Sequence, residues 1–376
     1  MIEVNPWSNE LVKDYELLFK DFGLQHISDE MRSKLRDCRN FRRDIVFAHR
    51  DFDKWLAAAE RGEKVAIMTG IKPSSEFHLG SKLTADEIIY LQKKFNAKVF
   101  YCIADEEAYF DNGIPLEESH AYAVDNVADL LALGLNEKNT FVYKQSECLN
   151  VLRLGNSFSR KVTLNTLEAV YGHQNLGLYT AALIQAGDIL QPQLEEFGGP
   201  KHVVVPVGVD QDPHIRLTRD IAAKFQEEYG FILPSATYHR FFRALNGETK
   251  MSKRDPMNVL TLNDSPELVE KKVKNIFTGG RATSEEQRRF GAETWKCVWF
   301  ELMKFHFIED DEDLKEMYDD SVKGKILCGE CKAKYLERLQ EFLEKHQEKK
   351  KKLFSKAEKL LEECGEKSAA IARRKR

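Results

Sequence analysis

The stretch Val65–Phe95, "VAIMTGIKPSSEFHLGSKLTADEIIYLQKKF", decides the reading of this chain. It begins with an apolar run short enough for a buried strand and ends in an amphipathic, leucine-bearing run long enough for a helix. Between them lies a polar turn punctuated by glycine and proline, and it crowds Lys72, two serines, His78 and Gly80 into Thr69–Ser81. A helix that starts there presents unpaired N–H groups and a partial positive charge, which suits a phosphate. Gly80 would let a flat base approach the backbone, and His78 and Lys72 would add a donor and a charge. A histidine two residues before a glycine also has a plainer reading, as a turn residue that caps the helix.

The alternation continues outward. "AKVFYCIA" at 97–104, "TFVYK" at 140–144 and "KHVVVPVG" at 201–208 are apolar and β-branched, and amphipathic runs such as "ESHAYAVDNVADLLALG" and "DPHIRLTRDIAAKFQEEYG" stand between or after them. This order predicts an α/β fold with a doubly wound, parallel, Rossmann-like sheet. In such sheets ligands bind beyond the carboxyl ends of the strands, where strand order reverses. Chemistry is therefore expected at 69–81, 104–107 and 208–212. Residues 1–60 read as a charged, helical N-terminal extension, an appendage or lid outside the core, with Ser28 as an N-cap. Beyond about 260 strand signals stop, and Glu/Lys-rich helical runs predict a separate all-helical domain over 261–376, leaving 61–260 as the catalytic unit.

The 376 residues are 42% hydrophobic and 31% charged with a formal net charge of −4, so a basic, nonspecific nucleic-acid binder is excluded and any polyanion must meet a local patch. No apolar run reaches the length of a membrane span and the start has no signal-peptide pattern, which together predict a cytoplasmic protein. Seven cysteines, with Cys328 and Cys331 the one tight pair, read as ordinary reduced thiols, and no structural metal is expected. Lys349–Lys352 within "HQEKKKKLFSKAEK" and the terminal "RRKR" read mainly as solvated faces, with phosphate contacts as the alternative.

"TKMSKRDP", Thr249–Pro256, supplies a second cationic run, with Lys250, Met251, Ser252, Lys253 and Arg254 in sequence. A loop of this kind can close over a triphosphate and follow the departing pyrophosphate. "HLGS" early and "KMSKR" late, bracketing an alternating α/β unit, resemble the two signatures of the class I aminoacyl-tRNA synthetases. Ser81 and Arg254 depart from the usual last residues of those signatures. "PVGVDQDPHIRLTRDIA" at 206–222 and "QAGDIL" at 185–190 are similar to the tryptophanyl branch. "NPW", "FRRDIVFAHRDFDKWL" and the "TG..PSS" run resemble its archaeal and eukaryotic members.

The resemblance implies ATP with Mg²⁺, L-tryptophan and tRNA(Trp) as substrates, and a homodimer formed through about 110–190. It implies catalytic roles for His78, Lys250, Ser252 and Lys253, and a nucleotide site of Thr69, Gly70, Lys72, His78, Gly80, Ser81, Gly208, Asp210, Lys250, Met251, Ser252 and Lys253. It further implies an amino-acid pocket of Met68, Cys102, Glu107, Gln185, Asp188 and Gln211, and anticodon reading by the C-terminal helices. An indole N–H is a donor only, so its pocket needs an acceptor. Met68 and Cys102 stand where the eukaryotic branch uses a tyrosine and a glutamine. Asp188 aligns with the carboxylate of the bacterial branch and is the preferred acceptor, with a purely structural pairing as the other reading. Tyrosyl-tRNA synthetase, a small-molecule nucleotidyltransferase and a non-catalytic RNA-binding relative remain as alternatives.

Overall fold

The computed structural model describes residues 15–248, 250–251 and 255–373; the expectations for Asn5–Trp7, Thr249, Ser252, Lys253, Arg254 and all but the first residue of the terminal "RRKR" lie outside the described residues. Seven strands form one sheet: β1 (Gln25–His26), β2 (Val46–Arg50), β3 (Ala66–Ile71), β4 (Lys98–Ile103), β5 (Thr140–Lys144), β6 (Val203–Gly208) and β7 (Ser235–His239). Their order is β1-β2-β7-β6-β3-β4-β5. From β3 to β7 every neighbouring pair is parallel, while β2 runs antiparallel to β7 and β1 antiparallel to β2. The chain steps from β3 through β4 to β5 in one direction, and later from β6 to β7 in the other. The reversal therefore falls between β3 and β6, which pair only at Ala66 with Val203 and Ile67 with Val204. Beyond Ile67 the two strands part and a crevice opens between their carboxyl ends.

The strands that read as continuous apolar runs are covered on both faces, which is why Ala66–Met68, Val99–Ile103 and Val203–Val205 are buried along their length. The segment before residue 60 corrects the expectation of an appendage. Phe41, Phe52 and Trp55 are fully buried, β2 extends the central sheet, and the Trp55 indole donates to the carbonyl of Ala66 at 2.9 Å. Arg50 makes two bonds to Asp212, at 2.8 and 3.0 Å, which ties β2 to the helix that follows β6. The arginines of "FRRDIVFAHR" act as clamps: Arg43 donates to the carbonyls of Lys304 and Ile308, each at 2.6 Å.

Past β7 the described residues hold helices and no named strand, ending in a helix of 46 residues, Cys328–Arg373. That helix lies back on the helix Leu116–Leu133. Lys350 reaches Asp125 and Asp129 at 2.6 and 2.8 Å, and His346 Nε2 lies 2.7 Å from Asp129 Oδ1. The middle of the lysine run is thus a buried structural cation, correcting the solvated-face reading for Lys350, while Lys349, Lys351 and Lys352 remain exposed. No described helix is long and apolar enough to cross a membrane.

Candidate active site

The crevice between β3 and β6 is a cavity of about 330 Å³. Every described residue proposed from the sequence lines it: Met68, Thr69 and Gly70 from β3 and Lys72 just past it, His78, Gly80 and Ser81 from the next helix start, Cys102 from β4 and Glu107 after it. Gln185 and Asp188 enter from the helix Leu176–Leu190, Gly208, Asp210 and Gln211 from the end of β6, and Lys250 and Met251 from the far side.

His78 is the N-cap of the helix Leu79–Phe95. Its Nδ1 accepts from the Ser81 N–H at 3.3 Å, so the neutral ring carries its proton on Nε2, 3.5 Å from the Ser81 hydroxyl. The capping role and the place at the cavity wall coexist in one side chain. Gly80 is required by this arrangement, because a Cβ there would lie 2.9 Å from two imidazole atoms. The same hypothetical carbon would stand 3.8 Å from the Cβ of Met251, so the early histidine turn and the late lysine run come together at one wall of the cavity. A backbone bond from the Leu79 N–H to the carbonyl of Leu260, 3.0 Å, ties the histidine turn to the chain that follows the lysine run.

Lys250 extends to Asp210 Oδ2 at 2.8 Å and sits over the Phe241 ring at 5.3 Å. Gly208 leaves room for that carboxylate, since a Cβ would come within 2.5 Å of Asp210 Oδ1. Lys72 was expected beside the phosphates, and its charge is already countered: its ammonium pairs with Asp111 and, at 3.3 Å, with Glu107. Burial opposes that charge, but the two carboxylates outweigh it and hold the Lys72 pKa above the ordinary lysine value.

The deep end of the cavity is organised by Asp188, which is 1% exposed. Tyr143 donates to its Oδ1 at 2.9 Å and Gln145 to its Oδ2 at 2.6 Å. Burial pushes its pKa up to about 7 against the lowering effect of Gln145, Tyr143 and the Cys102 thiol. A carboxylate has lone pairs beyond those two bonds, so Asp188 is both paired and able to accept again. Gln185 donates to Gln211 at 3.3 Å, and Gln211 in turn approaches Asp210 at 3.4 Å, giving a polar rim between the two ends.

Sequence reasoning passed over Tyr143, Gln145, Thr84, His239 and Phe241. Gln145 follows β5, so the rule applied to the other strand ends would have found it. His239 ends β7, whose "SATYH" is too short and polar to read as a strand; its Nε2 lies 3.0 Å from the Thr84 hydroxyl, and burial lowers its pKa. Among the described residues no group of three or more His, Cys, Asp or Glu side chains is placed to hold a metal ion. Cys331 is a buried thiol whose pKa burial pushes up to about 12.

A switch-point crevice, a histidine-capped helix start and a facing lysine run form the geometry against which the chain can be compared with known proteins. Residues 60–344 match the family model described as tRNA synthetases class I (W and Y). A tryptophan–tRNA ligase of Aeropyrum pernix is 43% identical over 96% of this chain and 98% of its own length. One of Hyperthermus butylicus is 45% identical over 92% and 94% respectively. The crystal structure of the tryptophanyl-tRNA synthetase from Aeropyrum pernix superposes with a TM-score of 0.88 at 44% identity, covering 93% of this chain and 96% of that one. This chain therefore belongs to the class I tRNA synthetases, within the group whose members are named tryptophan–tRNA ligases.

Proposed function

We propose that this protein activates L-tryptophan with ATP and transfers it to the 3′-terminal adenosine of tRNA(Trp). The observation that carries the reading is the meeting, in one cavity, of the His78–Ser81 turn and Lys250 at one end with a buried acceptor, Asp188, at the other. A carboxylate oxygen of tryptophan attacks the α-phosphorus of ATP in line, the bond from that phosphorus to the bridging oxygen breaks, and pyrophosphate leaves. The 2′-hydroxyl of the terminal adenosine then attacks the carbonyl of the adenylate and releases AMP. No protein nucleophile is needed; positioning and charge do the work.

In this reading the helix start at Leu79 and the Nε2–H of His78 face the phosphates. Lys250 exchanges Asp210 for the pyrophosphate as charge develops, and Ser252 and Lys253 are proposed as further catalytic residues. Thr69, Gly70, Gly80, Gly208 and Met251 border the nucleotide. Asp188 accepts from the indole N–H, Met68 and Cys102 close on the ring, and Glu107, Gln185 and Gln211 receive the ammonium group. Magnesium would enter with the nucleotide, bound to its phosphates.

Tyrosine is the competitor to exclude. Amino-acid-dependent exchange of pyrophosphate into ATP, run separately with the two amino acids, is expected with tryptophan and not with tyrosine, followed by stable charging of tRNA(Trp). Exchange with tyrosine, or tRNA binding without exchange, would overturn the assignment. A cytoplasmic homodimer belongs to the same proposal; Tyr109, Leu116, Leu164 and Leu176 support it as large apolar side chains exposed on the segment expected to pair.

A further inference from the structure

Arg243 opens the hairpin that delivers Lys250. The two residues form an antiparallel bridge, the Met251 N–H donates to the carbonyl of Phe242 at 2.8 Å, and Gly247 takes a φ of +80° in the intervening turn. The anchoring of that hairpin converges on one residue. The Arg243 backbone N–H donates to Glu301 Oε1 at 2.9 Å and its Nε to Glu301 Oε2 at 2.6 Å. Its two remaining nitrogens reach the carbonyls of Lys296 at 3.2 Å and Trp295 at 3.4 Å. Both oxygens of Glu301 are taken by this single arginine. Burial raises the Glu301 pKa, and Arg243 is the main opposing influence.

We infer that Arg243 is a positioning residue for the cationic arm, fixing where Lys250 leaves the hairpin so that only its side chain has to move between Asp210 and the pyrophosphate. The inference rests on the reading of Lys250 given above. A planar guanidinium held through all three of its nitrogens defines a backbone position in a way that a flexible ammonium cannot. The distance at stake is small: Lys250 Nζ is already 2.8 Å from a carboxylate at the cavity wall, so a shift of about 1 Å at its root misplaces the charge relative to a phosphate. Glu301 stands on the helix Val298–Leu302, in the part of the chain that follows the catalytic loop, and so that region sets the geometry of the arm.

A double-mutant cycle in pyrophosphate exchange tests this, with Arg243→Gln, Lys250→Ala and the double variant. Arg243→Gln is expected to lower kcat roughly 10- to 100-fold with the KM for tryptophan unchanged, and to cost less than about 2-fold more once Lys250 is already alanine. Glu301→Gln carries the same cycle from the other side of the pair, and thermal unfolding of each variant reports the folded fraction. An equal loss from Arg243→Gln in both backgrounds, or no loss in either, would show a merely structural pair and overturn the inference. Should Lys250→Ala alone leave exchange intact, the reading of Lys250 falls and the inference falls with it, an outcome visible in the first variant.

Discussion

The Thr69 hydroxyl donates to the carbonyl of Pro206 across 3.0 Å, bridging β3 and β6 just where their ladder has ended. Backbone pairing holds these strands together only as far as Ile67, so this side-chain bond sets the width of the crevice at its floor. Thr69 is buried, and replacing it with valine keeps the shape but removes the donor. Thr69→Val is expected to lower the unfolding free energy by about 1–3 kcal/mol. It should raise the KM for ATP and for tryptophan together, because both ends of the cavity hang on the same two strands. Thr69→Ser restores the bond and should restore both constants; urea unfolding and exchange kinetics on the two variants decide the matter.

The pKa of Asp188 predicts a pH dependence with a definite sign. Burial raises it from the ordinary 3.8 to about 7, so the neutral form is favoured in the folded protein. Its contribution to stability is therefore full below 3.8 and is lost as pH rises through about 7. Tryptophan binding runs the other way, because the carboxylate is the stronger acceptor for an indole N–H. The KM for tryptophan is expected to fall several-fold as pH increases across about 7, while the KM for ATP stays level. Asp188→Asn should abolish that pH dependence and bind tryptophan more weakly throughout. One face of its amide would meet the donors of Tyr143 and Gln145, which now occupy both carboxylate oxygens. A pH-independent KM in the parent enzyme would remove Asp188 from the indole.

His78 offers a clean separation of cap from catalyst. Asparagine is also a strong N-cap, so His78→Asn can keep the bond from the Ser81 N–H while removing the Nε2–H. The expected result is a melting temperature near that of the parent with exchange turnover reduced about 100-fold. Full turnover in this variant would leave His78 as a cap alone.

The sheet's centre was legible because parallel strands buried on both faces must be apolar throughout, as "VAIM", "VFYCI" and "VVVPV" are. The edge was not. β2 reads "VFAHR" between arginines and β7 reads "SATYH"; their polar residues are satisfied by partners far along the chain, Asp212 for Arg50 and Thr84 for His239, which no local pattern reveals. The site shows the same division. The histidine and lysine runs that line the cavity stand out locally in the sequence, whereas Tyr143 and Gln145 join it only through a carboxylate more than 40 residues away.

Lys350 carries that lesson to a test. Within "KKKK" it is indistinguishable by composition, yet its ammonium contacts Asp125, Asp129 and Asn263 while its three neighbours are exposed. Burial already raises the pKa of Asp129 against the opposing effects of His346 and Lys350, so removing the cation leaves a desolvated carboxylate with one partner fewer. Lys350→Met is expected to cost about 3–5 kcal/mol in urea unfolding. Lys349→Ala, Lys351→Ala and Lys352→Ala should each shift stability by less than about 0.5 kcal/mol. Because this network fastens the long C-terminal helix to the helix Leu116–Leu133, the loss should appear first as increased amide exchange where those two helices meet. Equal, small effects at all four lysines would mean that the run is one solvated face and that the helix is held by its apolar contacts alone.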